Sequence, residues 1–325
     1  MVAIRWWCSC VLAMVSVAAI APMAVHAQAF PQRTVRFVVP FAAGSATDIV
    51  ARVLAQGLTE RTKGTFVVEN RPGANGAIAG EYVAKSAADG YTLFLATVST
   101  HSQVPWLMKK PPYDPLKDFA PIAGIGGFSF LIVVHPSLPV RSIREFVAFA
   151  KARPGQVTYG APGGTAQICA EAMARRAGLK LVTVPYKSSP QALTELIAGQ
   201  IAMICSDSAT AFPQVKAGKV RALAVTTFQR SSELPDVPPL KDTFDDFVEL
   251  RSWIGALAPA GTPVAATEWL GREILAVTAQ PSFTARLAPL GFSRLALPAP
   301  QLTELMQIEL KKWGALIKDA GIEPQ

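Results

Sequence analysis

Short apolar segments alternate with helical patterns along most of the chain. In the first unit, the β-branched segment 34–40 leads into the small-residue loop 43–47, and a helical pattern continues to Leu58. A strand, a loop and a helix in this order predict an α/β unit. The order recurs, with further strands predicted at 66–69, 91–96, 125–134, 157–159, 181–185, 201–205, 221–226 and 253–258.

The predicted units fall into two series. The chain would pass from one series to the other at the segments 125–134 and 253–258, and two such crossovers imply a hinge. We predict lobe 1 from residues 30–128 and 253–325, and lobe 2 from residues 129–252. Residues 264–317 are mostly helical by period, with a short strand near 292–296.

The N-terminal residues have the pattern of a secretory signal. Arg5 precedes an apolar run, residues 8–25, that ends in the small-residue pattern Val25-His26-Ala27. This pattern predicts a signal peptide with cleavage after Ala27 or Ala29, so residues 1–29 are expected to be removed and the protein to be periplasmic. A retained membrane anchor is the alternative, because the run is nearly long enough to span a bilayer.

The charge of the chain suits a small acidic ligand, and its length suits two lobes. The formal net charge is +8, and the basic residues are spread along the chain. No basic run with interleaved aromatic residues is present, so nucleic acid is not expected as a partner. The chain after residue 29 is longer than one hydrophobic core usually holds, which again favours two lobes.

Two cysteines, Cys169 and Cys205, remain after the predicted cleavage. They are too few for a disulfide framework, although one bridge would be compatible with an oxidising compartment. Two separate buried thiols are the favoured interpretation, because Cys205 ends an apolar run and Cys169 lies among helix formers.

Groups suited to catalysis are scarce after residue 29. The chain after residue 29 has two histidines. His135 precedes Pro136 at a strand end, where a surface or hinge role is expected, and His101 either contacts a ligand anion or lies solvated in a loop. The sequence has no nucleophile elbow, no metal-ligand spacing, and no phosphate-binding or dinucleotide motif. We therefore predict no catalytic residue, metal or cofactor, and a binding protein instead of an enzyme.

The loops that follow the predicted strands are rich in Ser, Thr, Gly and Asn. Ligands of open α/β sheets bind at the carboxyl ends of strands. Such loops lead into helix N-termini, where backbone N–H groups and hydroxyls can hold a carboxylate without a lysine. The alternative is that these residues only cap their helices.

Several motifs together resemble the Bug family, the substrate-binding receptors of tripartite tricarboxylate transporters. The motifs are VPFAAGSATD at 39–48, VENRPGA at 68–74, DGYTL at 89–93, YDPLKDFAPI at 113–122, VPYK at 184–187, AGKVRALAVT at 217–226 and LAPAGTP at 257–263. The resemblance covers essentially the whole chain after residue 29.

The resemblance implies an α/β periplasmic-binding-protein fold of type II, a Venus flytrap whose two lobes are joined by two crossover strands. It implies a monomer that binds a small organic anion and delivers it to the membrane permease subunits of a tripartite carrier. The ligand would be a dicarboxylate or tricarboxylate, an acidic amino acid or an aromatic acid, and its identity stays open. The alternatives are a secreted hydrolase or isomerase of a small organic acid, or an extracytoplasmic sensor ligand.

The resemblance also implies ligand-binding residues at the strand ends of both lobes. They are Ala43, Gly44, Ser45, Thr47, Thr97, Ser99 and His101 in the first lobe, and Gly163, Gly164, Thr165, Ala166, Ser206 and Asp207 in the second. The chain departs from the usual pattern at Gln167, where histidine is frequent. It also carries Ser206 where an aspartate often follows the strand, with Asp207 one place further on.

Overall fold

The computed structural model describes residues 30–324, and the predicted signal peptide lies outside the described residues. Strands and helices alternate, as the pattern predicts. The strands are β1 Val35–Val39, β2 Phe66–Asn70, β3 Thr92–Thr97, β4 Phe119–Phe128, β5 Phe130–Val134, β6 Val157–Ala161, β7 Leu181–Pro185, β8 Met203–Asp207, β9 Arg221–Val225, β10 Ile254–Pro259 and β11 Phe292–Pro298.

The helices lie between these strands, and residues 264–317 are mostly helical with one strand, as expected. They are α1 Ala46–Thr62, α2 Ala77–Ala84, α3 Val104–Leu107, α4 Ile143–Lys151, α5 Gly164–Ala177, α6 Ser189–Ile197, α7 Ser208–Lys216, α8 Val264–Thr278, α9 Pro281–Leu287 and α10 Ala299–Asp319. A π-helical turn, Ser99–Gln103, follows β3. Within residues 30–324, no helix is long and apolar enough to cross a bilayer.

The strands form two mixed sheets. The first has the order β11-β4-β10-β3-β1-β2, and the second has the order β7-β6-β8-β5-β9. In the first sheet, β1 is parallel to β2 and to β3, and in the second β6 is parallel to β7 and to β8. The loops after these parallel strands therefore meet at one edge of each sheet, where ligands of such sheets bind.

The chain passes between the sheets at two adjacent places. The predicted strand 125–134 is in fact two strands, because β4 belongs to the first sheet and β5 to the second, with Ser129 between them. Ser129 forms an antiparallel bridge with Arg251, and the Ser252 N–H donates to the Phe128 carbonyl at 2.9 Å. The lobe boundaries at 128/129 and 252/253 stay a prediction, which these sheet assignments support.

The close pairing of the crossovers requires a glycine at position 127. A Cβ added there would overlap the carbonyl oxygen of Ser252 and lie 3.2 Å from the Cα of Trp253. Both are backbone atoms of the paired segment, so no side chain can move aside. We expect Gly127→Ala to lower the free energy of unfolding by about 1 to 3 kcal/mol, as measured by urea denaturation.

The matched control is Gly163→Ala, since Gly163 has an extended φ of 175° and the atom nearest to its added Cβ is 3.9 Å away. Its stability should change by less than about 1 kcal/mol. If Gly127→Ala lowered the free energy of unfolding as little as Gly163→Ala does, the two crossover segments could move apart at little cost.

Cys169 of α5 and Cys205 of β8 form a disulfide. The favoured interpretation as two separate thiols is therefore wrong. Both residues are fully buried, and their Cα atoms are 6.3 Å apart, within the range that a disulfide requires. The helix packs directly on the strand, and this tertiary contact brings together two cysteines whose local sequences do not indicate that they pair.

Candidate ligand-binding site

A cavity lies between the two lobes, at the edges where the parallel strands end. Its empty space is about 600 Å³, including the open mouth, which is in the usual size range of small-molecule sites. The first lobe and the crossovers contribute Phe41, Ser45, Ala46, Thr47, Thr97, Val98, Ser99, Phe128, Ser252 and Ile254, and the second lobe contributes Phe130, Pro162, Gly163, Thr165, Ala166, Ser189 and Asp207.

The loop between β1 and α1 is fixed from behind by Asp48. The Asp48 carboxylate accepts hydrogen bonds from the Gly44 N–H, the Arg52 Nε and the Asn70 Nδ2, each at 2.9 Å. Burial raises the pKa of Asp48, but the bonds from Arg52, Gly44 and Asn70 outweigh it, so the net pKa is lowered. The carboxylate thus stays ionised and holds the loop in one conformation.

This network decides which residues of the loop reach the cavity. Ser45, whose hydroxyl caps α1 by accepting the Asp48 N–H at 3.4 Å, lines the cavity together with Thr47. Ala43 and Gly44 are exposed and do not line it. Because the Gly44 N–H already donates to Asp48, it is not available to a ligand. The expected contribution of Ala43 and Gly44 has no support in their positions.

Thr97 and Ser99, at the end of β3, both line the cavity. The Thr97 hydroxyl is buried and has no hydrogen-bond partner among residues 30–324. A buried hydroxyl without a partner costs free energy. A ligand in the cavity that bonds to Thr97 would remove this cost.

His101 lies in the core of the first lobe and does not line the cavity. Its ring packs against Phe94, Phe119, Tyr113 and Trp253. Burial lowers the pKa of His101 to about 3, because the charged ring would lose its hydration. The histidine is therefore neutral at physiological pH, and it is neither the ligand contact nor the solvated residue that its sequence suggested.

The N-terminus of α5 faces the cavity without a side-chain cap. Gly163, Thr165 and Ala166 line the cavity, and Gly163 at the N-cap position makes no capping bond. The helix's first backbone bond joins the Gln167 N–H to the Gly163 carbonyl at 3.2 Å, so the three N–H groups before it have no acceptor within the helix. Free N–H groups at the positive end of a helix form an anion site.

The two lobes touch beside this helix end. Gln103 of the first lobe is fully buried, and its Nε2 donates to the Thr165 hydroxyl at 2.8 Å. Having accepted this bond, the Thr165 hydroxyl can direct its own proton into the cavity. Gly164 does not line the cavity, because it packs against Gln103 and Leu107 instead, and a Cβ there would overlap both side chains. Gly164 thus serves the contact between the lobes.

Asp207 and Ser206 end β8, which extends two residues past its predicted end. Asp207 lines the cavity and caps α7 by accepting the Thr210 N–H at 3.0 Å. Ser206 is fully buried outside the cavity, with its hydroxyl 2.9 Å from the Thr210 Oγ1. The structure therefore brings Asp207 into the site and leaves Ser206 out.

Sequence reasoning missed nine lining residues, in three groups. Four of them follow strands β1, β3 and β6, in loops that were otherwise identified, and Ser189 opens α6 after β7, where the rule of strand ends also applies. The other four flank the crossovers and required the knowledge that the hinge borders the cavity. The nine are Phe41, Ala46, Val98, Phe128, Phe130, Pro162, Ser189, Ser252 and Ile254.

The cavity offers mostly hydrogen-bond donors to a ligand, with the Asp207 carboxylate as its one acidic side chain among the described residues. Among the residues that the structure describes, no lysine, arginine or histidine lines the cavity. Nor do residues 30–324 contain a group of three or more His, Cys, Asp or Glu side chains that could hold a metal ion. Hydroxyls and backbone N–H groups are the donors that this arrangement offers to an anion.

Two α/β lobes with an anion-binding cavity at their strand ends define a solute-binding protein of the periplasmic-binding-protein class. Residues 50–322 match the family described as tripartite tricarboxylate transporter family receptor, and the chain belongs to that family. The predicted family and the predicted two-lobed fold are both confirmed.

Known relatives cover nearly the whole chain. Protein BugT of Bordetella pertussis is 32% identical over 91% of this chain and 92% of its own length. The R. palustris protein Rpa4515, solved with adipate, is 32% identical, with a TM-score of 0.88 over 91% of this chain and 100% of its own. The periplasmic binding protein BugD is also 32% identical, with a TM-score of 0.87 over 91% and 100%.

Proposed function

We propose that the protein binds a small carboxylate in the interlobe cavity and delivers it to the membrane subunits of a tripartite carrier. The observation that carries the proposal is the uncapped N-terminus of α5, which lines the same cavity as Thr97, a residue whose buried hydroxyl has no partner among residues 30–324. Both can supply donors to an anion, in a cavity that no basic side chain of the described residues lines. The adipate bound by Rpa4515 supports a carboxylate as the ligand.

The proposal includes a periplasmic location, a monomeric receptor and no chemistry on the ligand. The periplasmic relative BugD and the N-terminal signal pattern of this chain support the location. The alternatives are a secreted hydrolase or isomerase of an organic acid, and a sensor ligand. Membership of a family of transporter receptors favours the transport role over both alternatives.

A thermal-shift screen of monocarboxylates, dicarboxylates and tricarboxylates, both aliphatic and aromatic, tests this function. A ligand at 100 times its Kd should add about 2.7 kcal/mol to the free energy of unfolding. The acid that raises Tm should then be recovered unchanged after incubation with a stoichiometric amount of protein. Turnover of that acid would establish the enzyme alternative, and a screen in which no acid raises Tm would refute carboxylate binding.

Thr165 should matter more to binding than Lys187, despite the charge of the lysine. Thr165 is buried at the α5 N-terminus and lines the cavity, whereas Lys187 is exposed outside it. Loss of a hydrogen bond to a charged ligand costs about 1 to 3 kcal/mol. We expect Thr165→Ala to raise the Kd of the acid found in the screen roughly 5- to 150-fold in calorimetry.

Thr165→Ser, which keeps the hydroxyl, is the matched control and should retain most of the affinity. Lys187→Met should change the Kd less than about threefold, because an exposed charge outside the cavity is largely screened by salt. The opposite order, with Lys187 dominant, would move the anion site to the loop between β7 and α6.

A further inference from the structure

The second lobe places a buried carboxylate, Asp207, on the cavity wall. Asp207 is 7% exposed and accepts the Thr210 N–H at 3.0 Å, and its carboxylate is also hydrogen-bonded by the side chains of Ser189 and Thr210 and by its own backbone N–H. All of these partners are donors, because an ionised carboxylate only accepts hydrogen bonds. Asp207 also lines the cavity, so a bound molecule meets an acceptor at this part of the wall.

The surroundings of Asp207 determine what such a molecule can place beside it. No basic side chain of the described residues lines the cavity. A ligand carboxylate next to Asp207 would bring two negative charges together in a poorly solvated space without a cation, where like charges repel strongly. A hydroxyl or an ammonium group would instead donate to Asp207. The carboxylate of the ligand is then left to the α5 N-terminus and Thr97, whose groups donate hydrogen bonds.

The remaining wall of the cavity is apolar. Phe41, Phe128 and Phe130 line it together with Val98 and Ile254. Aromatic and aliphatic side chains favour a ligand whose middle part is hydrocarbon, because its transfer from water is favourable. The cavity thus offers one ligand three kinds of surface: hydrogen-bond donors for a carboxylate, the Asp207 carboxylate for a donor group, and apolar side chains for a hydrocarbon body.

We infer that Asp207 sets the specificity of the site for acids with one carboxylate, an apolar body and a hydroxyl or ammonium group away from the carboxylate, over acids that carry a second carboxylate there. This inference rests on the proposed function and names its ligand class. Burial raises the pKa of Asp207 above its ordinary value, and the bonds from Ser189 and Thr210 oppose that rise only in part. A donor on the ligand would favour the ionised carboxylate, whereas a second carboxylate beside it would disfavour it.

Two matched series of acids test the inference by calorimetry, with the full mature protein. The aliphatic series is butyrate, 4-hydroxybutyrate, 4-aminobutyrate and glutarate, and the aromatic series is benzoate, 4-hydroxybenzoate and terephthalate. Within each series only the group opposite the carboxylate changes. In at least one series, the acid with a donor should bind tenfold or more tightly than the unsubstituted acid, and the dicarboxylate should bind most weakly.

Asp207→Asn separates charge from structure. Asparagine caps helices as well as aspartate does, and it can still accept the Thr210 N–H, so α7 and the fold should persist. We expect the variant to lose its preference for the ammonium acid by tenfold or more and to bind the dicarboxylate more tightly. The control is Ser206→Ala, one residue away but outside the cavity, which should leave the ranking of the acids unchanged.

Each other outcome overturns a different statement. Tightest binding of the dicarboxylates by the unaltered protein, or an unchanged ranking in Asp207→Asn, would refute the role of Asp207 and leave the carboxylate receptor intact. An equal change of ranking in Ser206→Ala would also refute it, since the effect would then be a general distortion of β8. If no acid of either series or of the broader screen binds, both this inference and the proposed function fail.

Discussion

Removal of the Cys169–Cys205 bridge is expected to lower the free energy of unfolding by about 4 kcal/mol. The bridged residues are 36 positions apart, and a crosslink over a loop of this length removes that much conformational entropy from the unfolded chain. Urea denaturation of the double variant Cys169→Ala/Cys205→Ala, compared with the oxidised protein, measures the difference. The m-value should rise as well, because the unfolded chain without the crosslink exposes more surface.

The bridge also ties together two parts of the candidate site. Cys169 lies four residues after Thr165 in α5, and Cys205 lies two residues before Asp207 in β8. We therefore expect weaker ligand binding in the double variant, even at temperatures where it is fully folded. The reduced, unaltered protein is the matched control and should be destabilised by a similar amount. Equal stability of the oxidised and reduced proteins would show that packing of α5 on β8 suffices without the bond.

Acidification is expected to destabilise the protein strongly through His101. The unfolded chain takes up a proton at this residue near pH 6.5, whereas burial holds the pKa in the folded state at about 3. The contribution of a neutral His101 is thus fully present above pH 6.5 and is lost as the pH falls toward 3, at about 1.4 kcal/mol per pH unit. Over the whole window the loss approaches about 5 kcal/mol.

Comparison with His101→Phe isolates this effect from the titration of the carboxylates. Phenylalanine suits the ring of aromatic neighbours, and the hydroxyl of Thr100, which lies 3.0 Å from the histidine Nδ1, keeps its bonds to the N–H and carbonyl of Thr97. Unfolding free energies measured from pH 7.5 to 4.5 should fall more steeply in the unaltered protein than in the variant. Parallel curves would mean that the folded protein accommodates the imidazolium.

Local patterns in the sequence predict much of this fold. The alternation of short apolar segments with helical periods placed most strands to within a few residues, because each element is stabilised by its own side-chain spacing. It merged β4 and β5 into one strand and placed its start six residues after the start of β4. The family motifs extended this to the two-lobed architecture. The rule that ligands bind at strand ends indicated the loops of the site. The family resemblance implied the individual residues, of which Ser45, Thr47, Thr97, Ser99, Gly163, Thr165, Ala166 and Asp207 line the cavity.

Only the tertiary structure decided the orientation and pairing of individual groups. The ring of His101 lies in the aromatic core instead of the cavity, and the Asp48 carboxylate that accepts the Gly44 N–H is held by Asn70 of β2. Cys169 and Cys205 meet only because α5 packs on β8. These facts depend on contacts between residues distant in the chain, which local spacing does not encode. The sequence by itself determined the class of protein and the loops of its site, and long-range packing determined which atoms of those loops face a ligand.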